Sequence, residues 1–290
     1  MDFLRELLRR PAPGPPTELT AYWSATREVR DAFERPVERA LVSATRADRL
    51  AFAFASGYQA ALSALFPTLG KHDLAALCAT EEGGGHPRDV RARLEAGRVT
   101  GSKKFVTGAG LAAQLFVVCS IGEEGGRNRL RVARVAAGAS GVKLRPMQDL
   151  PFVPELPHAE VDFDGARAEE VFEADGYERY LKPFRTVEDV HVNAALVGYL
   201  TGLGLRCGWR VERLAGLAVA AVALAARDPS DAATHVALAG FLDESRAVID
   251  ALDFAAVPPA ERERWERDRA LLGVAGRVRA KRLERALESL

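Results

Sequence analysis

The sequence predicts an α+β multi-domain protein with N-terminal helices, a central antiparallel β-barrel or sandwich, and a C-terminal antiparallel helical bundle. Three observations carry this. Residues 20–66 are rich in Ala, Leu, Arg and Glu. From Lys71 to about Glu173, short β-forming runs are separated by glycine or proline, which is the texture of a barrel or sandwich and not of a βαβ sheet. From Tyr177 onward the pattern turns helical again. The expected boundaries are 1–70, 71–175 and 176–290.

The elements follow in order. Residues 1–10 form a short amphipathic start, too charged for a secretory signal. Pro11-Ala-Pro-Gly-Pro-Pro16 makes a stiff break after it. Residues 20–66 read as two or three helices. The last, Ala51 to Phe66, is apolar on nearly every face and therefore buried, and Pro67 stops it. In the β region, Asp73 to Thr80 is a short apolar run and Leu115 to Ile121 a strand buried on both faces. Leu130 to Val135 carries strand-forming valines. Val142 to Arg145 and Ala159 to Asp164 alternate with period two, so each has one wet face.

The C-terminal bundle is read as three helices with short links. A long first helix opens at Arg185-Thr-Val-Glu-Asp189 with a Thr186–Asp189 capping pattern and runs to the break at Asp228-Pro-Ser-Asp231. A second runs to about Phe254, and Val257-Pro-Pro259 ends that stretch. The last carries Leu271, Val274, Ala275 and Val278 at i, i+3, i+4, i+7.

Composition narrows the function classes. A chain of 290 residues has length for two or three packed subdomains, and its 48% hydrophobic content argues against disorder. Lys+Arg and Asp+Glu both number 40, so no net field steers nucleic acid or an anionic membrane to it, and one barrier to self-association is absent. Cys78, Cys119 and Cys207 are scattered, and His72, His86, His158, His191 and His235 form no ligand spacing. No metal is expected, and the cysteines read as reduced hydrophobes of a cytoplasmic protein. The longest apolar run, Leu214 to Ala226, is too short for the ~20 residues a bilayer needs and reads as a buried helix.

The chemistry-bearing stretch is Cys78-Ala-Thr-Glu-Glu-Gly-Gly-Gly-His-Pro87, followed by Gly101-Ser-Lys-Lys-Phe-Val-Thr-Gly-Ala109. Glycines let backbone N–H groups approach phosphate oxygens closely. An aromatic residue and a hydroxyl two positions apart suit a flat cofactor with polar edges. The plain alternative is a tight glycine turn beside ordinary strand residues.

The first segment resembles the Thr-Glu-Pro-Gly-Ala-Gly-Ser-Asp motif of the acyl-CoA dehydrogenase family. The second resembles its Gly-x-Lys-x-Trp-Ile-Thr-Asn-Ala motif, and Ala159 to Arg167 its strand ending Val-x-Phe-Asp-x-Val-Arg. The order of helices, small β domain and bundle is that family's order. The resemblance implies FAD as cofactor, with Thr80 near the pyrimidine end of the flavin, Gly85 near the pyrophosphate, Phe105 beside the ring and Thr107 near flavin N5. It implies oxidation of an acyl-CoA thioester at the α,β carbons, in fatty acid metabolism, with electrons passed to an electron-transfer flavoprotein by a homo-oligomer.

The family's base, a carboxylate that removes the α proton, stands in many members in a C-terminal Tyr-Glu-Gly-Thr segment, which this chain lacks. In the isovaleryl type it opens the first bundle helix, and aligning Glu188 to Gly198 with that helix makes Glu188 the base. The other reading of Glu188 is a helix-start acid stabilised by the macrodipole. Asp189 reads as a cap partner and His191 as a packed histidine. The Arg-x-x-Phe-Gly and Gln-x-x-Gly-Gly-x-Gly segments are also missing, and Gly273 and Gly276 read as sites of close helix packing. His86 and Pro87 replace Ser-Asp. These departures support an alternative: a non-catalytic relative serving as scaffold, or as subunit of a mixed complex with an intact paralogue.

Overall fold

The computed structural model describes residues 2–10 and 18–290; the proline-rich break at 11–16 lies outside the described residues. The chain divides into two compact units. A helical unit comprises Met1–Ala64, Pro151–Glu155 and Thr186–Leu290, and a sheet unit comprises Leu65–Leu150 and Leu156–Arg185.

The sheet unit is one eight-stranded sheet: β1 (Ala75–Cys78), β2 (Arg93–Glu95), β3 (Arg98–Thr107), β4 (Gln114–Glu124), β5 (Arg127–Ala136), β6 (Val142–Pro146), β7 (His158–Arg167) and β8 (Glu170–Phe172). The order is β6-β7-β3-β2-β4-β5-β8, with β1 also paired to β4. Most pairs are antiparallel, and β2–β3 and β4–β5 are joined by two-residue links. The pairings of β1 and β2 with β4 are parallel, so the sheet is mixed. Residues 115–119 of β4 are all buried. One face joins the core of Val99, Val106, Val161 and Phe163. The other meets an aromatic stack, in which Phe116 lies 3.9 Å from Phe66 between ring centroids and Tyr180 stacks beyond at 5.1 Å. Cys78 and Cys119 are buried and unbridged, and burial pushes both thiols up to about 12, which makes them inert packing groups.

The helical unit holds α1 (Phe3–Leu7), α2 (Leu19–Ala25), α3 (Arg27–Ala32), α4 (Pro36–Ala44), α5 (Leu50–Leu65), α6 (Lys182–Cys207), α7 (Glu212–Ala225), α8 (Ala232–Asp250), α9 (Pro259–Asp268) and α10 (Gly276–Glu288); α5 and α6 run one to four residues across its boundaries. Helix α5 is buried along almost its whole length, as its uniform apolar pattern requires. Helix α6 meets α4 and α5 backbone to backbone. A Cβ on Gly198 or Gly202 would collide with the carbonyl oxygens of Leu41 or Thr45, and one on Gly57 would fall 2.5 Å from the Cα of Val192.

The bundle differs from the sequence expectation in four places. The helical segment begins at a π-helical turn, Gly176–Leu181, capped by Asp175, whose Oδ1 accepts from the N–H groups of Tyr177 and Glu178. Thr186 and Asp189 therefore lie inside the helix and are no capping box. Asp189 instead binds Arg279 at 2.6 Å and also Arg282, pinning α10 to α6. The long helix expected to reach Asp228 stops at Gly208, whose φ of +76° terminates α6. The expected apolar stripe on the last helix is split between a 3₁₀ turn at Arg269–Gly273 and α10, leaving Val274 and Val278 exposed. Finally, Gly273 and Gly276 have open space where a Cβ would sit, so neither serves close packing. No helix of the described residues is long and apolar enough to cross a membrane.

Candidate functional site

Four of the five candidate residues, Thr80, Gly85, Phe105 and Thr107, fall in the sheet unit, and Glu188 falls in the helical unit. The turn after β1 is closed by reciprocal backbone bonds, Glu81 N–H to Gly84 O and Gly84 N–H to Glu81 O, each 3.0 Å. Gly84 has φ +116°, open to glycine but rarely to other residues.

Two adjacent lysines of β3 hold the two adjacent acids of this turn. Lys103 points inward, has no exposure, and donates to Glu81 at 2.6 Å. Glu81 also accepts from the N–H groups of Arg91 and Ala92 at 2.8 and 3.1 Å, so the buried carboxylate is fully engaged, as a buried charge must be. Lys104 points outward to Glu82 at 3.1 Å and Glu160 at 3.3 Å, and its N–H donates to Thr80 O at 2.8 Å. Thr80 is thereby fixed against the residue preceding Phe105.

The β3–β7 register shifts between Lys103 and Val106. In this irregularity Phe105 takes φ +54° and stands 57% exposed. An aromatic residue in the left-handed region costs about 1–3 kcal/mol and gains little back from burial here. Thr107 pairs with His158 in register and its hydroxyl lies 3.1 Å from His158 Nε2. Burial lowers the His158 pKa from the ordinary histidine value, which favours the neutral ring. A hydroxyl has one donor and two acceptor positions, so Thr107 retains capacity for a further partner.

Thr80 and Gly85 are brought together: a Cβ on Gly85 would lie 3.7 Å from Thr80 Oγ1 and 3.9 Å from Arg185 Nη2. This space, the exposed Phe105 ring and the Thr107 hydroxyl suit the phosphates, flat ring and polar edge of a flavin nucleotide. Glu188 lies in the second turn of α6, past the π-helical turn, so it is not the helix-start acid of the sequence reading. His191 is buried, its Nδ1 lies 2.7 Å from Val187 O, and burial holds its pKa at about 4, making it a neutral packed histidine. Among the described residues no cluster of His, Cys, Asp and Glu could hold a metal.

The sequence reading missed Lys103, Lys104, His158 and Arg185. The paired acids and paired lysines about twenty residues apart could have signalled the staple. His158 and Arg185 carried no signal, because strand register and the course of the chain into α6 bring them in.

These features define a protein with the acyl-CoA dehydrogenase fold: N-terminal helices, a central sheet and a C-terminal helical bundle. The likeness extends over nearly the whole chain. Butyryl-CoA dehydrogenase from Megasphaera elsdenii superposes with a TM-score of 0.68 at 13% identity, covering 99% of this chain and 98% of that one. The FAD complex of PigA gives 0.68 at 12%, covering 93% and 90%. A probable acyl-CoA dehydrogenase from Mycobacterium abscessus gives 0.62 at 16%, covering 98% and 96%. By sequence, the chain matches no protein-family profile and no curated protein.

Proposed function

We propose that this chain is a FAD-binding oxidoreductase that oxidises an acyl-CoA thioester at its α,β carbons. The observation that carries the reading is the Phe105–Thr107 segment: an exposed aromatic on left-handed backbone, two residues before a hydroxyl and beside the glycine turn. In this reading Phe105 would stand beside the flavin ring, Thr107 would offer its hydroxyl to the polar edge, and Thr80 and Gly85 would hold the pyrimidine and phosphate ends. His158 orients the Thr107 hydroxyl. Glu188 takes the α proton of the thioester, the role of a general base. Bound FAD would supply the two-electron acceptor for the departing hydride. An electron-transfer flavoprotein would take the electrons onward, and the chain would work as a homo-oligomer.

The test is direct. Purified protein should carry flavin absorbance and reduce a dye with an acyl-CoA substrate, and Glu188→Gln should abolish turnover while keeping the flavin. Colourless protein that FAD cannot reconstitute would sink the enzyme reading and leave the scaffold or mixed-complex role.

A further inference from the structure

A cavity of about 360 Å³ lies inside the helical unit, between α6, α8, the 3₁₀ turn after α9, and α10. Small-molecule sites typically span about 300–1,000 Å³. The walls are apolar: Leu196 of α6, Ile249 of α8, Phe254, Trp265 and Leu272. Phe254 and Trp265 stack at 4.7 Å between ring centroids, which makes one wall stiff. The flavin and thioester reading leaves this space unused. Asn193, which lines it, stands five residues past Glu188, about 140° further round α6. The cavity therefore lies on another face of that helix.

Polar groups stand at two levels. Asn193 is deep, at 7% exposure. Its Nδ2 donates to Asp189 O at 2.7 Å; a carbonyl only accepts, so the amide cannot be turned the other way round. Oδ1 is left without a hydrogen bond among the described residues, and a buried acceptor in that state calls for a donor from the cavity. At the rim, Arg246 and Asp250 of α8 are exposed, and neither makes an ion pair or side-chain hydrogen bond among the described residues. Arg269 is held by Glu266 at 3.1 Å, and Arg279 shares the Asp189 carboxylate with Arg282. The charged lining and its direct partners are thus four arginines (246, 269, 279 and 282) against three acids (189, 250 and 266), an excess of one positive charge.

We infer that this cavity binds a small amphipathic monocarboxylate that carries a hydroxyl. The carboxylate sits at the rim on Arg246, the apolar body lies against Ile249, Phe254 and Trp265, and the hydroxyl donates to Asn193 Oδ1. Each part answers one observation. A guanidinium without a partner matches a carboxylate, and one excess charge sets a monoanion; a phosphate monoester would bring about −1.5 to −2. The apolar walls ask for a hydrocarbon body, and the unused oxygen asks for a donor. The site does not depend on flavin being bound.

Isothermal titration of the full chain with three probes tests this: para-hydroxyphenylpropanoate, phenylpropanoate, which lacks the hydroxyl, and para-hydroxyphenylpropanol, which lacks the charge. The first should bind tightest. Losing the charge should weaken binding about tenfold and losing the hydroxyl about threefold or more. Arg246→Gln, at an exposed position, should weaken both carboxylates about tenfold and leave the neutral phenol unchanged. Asp250→Asn should strengthen both carboxylates. Asn193→Leu should make the two carboxylates bind alike; if that variant fails to fold, the wild-type comparison of the same two probes decides the hydroxyl. Leu242→Trp, at a half-buried lining position, should abolish binding of all three. A neutral phenol that binds as tightly as the hydroxy acid, or carboxylate binding unchanged in Arg246→Gln, overturns the anion site. Equal binding of the two carboxylates to the wild-type chain overturns the hydroxyl at Asn193. Failure of every probe to bind at up to about 10 mM overturns the site outright.

Discussion

Replacing Lys103 with methionine removes the counter-charge of a carboxylate that is largely buried. The Lys103 side chain has no exposure, Glu81 has 8%, and the charges stand 2.6 Å apart. At an effective dielectric of about 20, that separation corresponds to a gross attraction of about 6 kcal/mol. Desolvation of both groups offsets part of it, and breaking such pairs from one side costs about 3–5 kcal/mol. Lys103→Met should therefore destabilise the sheet unit by that amount. Glu81→Gln added to it should recover at least half, because a neutral amide needs no cation and its oxygen can still accept from the Arg91 and Ala92 N–H groups. Trp23, Trp209 and Trp265 all lie in the helical unit, so tryptophan fluorescence does not report this change. Amide hydrogen exchange on peptides from β3 and β4 does. A cost below about 1 kcal/mol, or a double variant as unstable as the two singles summed, would refute the buried-pair argument.

Phe105→Gly should stabilise the sheet unit by about 1 kcal/mol, since it relieves a left-handed φ at the expense of little burial, while flavin affinity falls; exchange protection and flavin fluorescence read the two effects, and a loss of stability would contradict the strain. His191 has a folded pKa of about 4, below its unfolded value of about 6.5, so neutral His191 contributes stability that is full above pH 6.5 and lost as pH falls toward 4, an effect on the order of 3 kcal/mol. Denaturant midpoints of the helical unit, followed by tryptophan fluorescence, should show that slope flattened in His191→Gln. Gly198→Ala should cost about 3 kcal/mol or more, because its methyl group enters the Leu41 carbonyl and must push α4 from α6; an unchanged thermal midpoint would show that the helices part without cost.

The fold class was legible because its signals are local. Period-two alternation marked β6 and β7, and the uniform apolar run marked α5 as buried. The missed features depend on distant partners or on single backbone angles. Gly208 looks like any helix glycine until its positive φ ends α6. Thr186 and Asp189 have the spacing of a capping box, yet Asp175 caps the segment first and leaves Asp189 to the arginines of α10. In the site, Phe105 and Thr107 were legible as types at a spacing. The left-handed angle that exposes Phe105 comes from a register shift against β7, and the partner of Thr107 comes from that same strand. Neither leaves a trace in composition.

The five residues Pro151–Glu155 interrupt the sheet unit's sequence to join the helical one. There the buried Val153 N–H is accepted by Asp268 at 2.8 Å, and Glu155 takes Arg49 and Arg267, each at 3.0 Å. These partners lie far apart along the chain, which gives biogenesis an order. The sheet unit's residues have all been synthesised once Arg185 is made. Helix α6, against which α4 and α5 pack backbone to backbone, follows them by more than a hundred residues, on the order of ten seconds at ordinary translation rates, and Val153 gains its Asp268 partner only later. The contacts that close the helical unit thus form only after the sheet unit's residues have all been made.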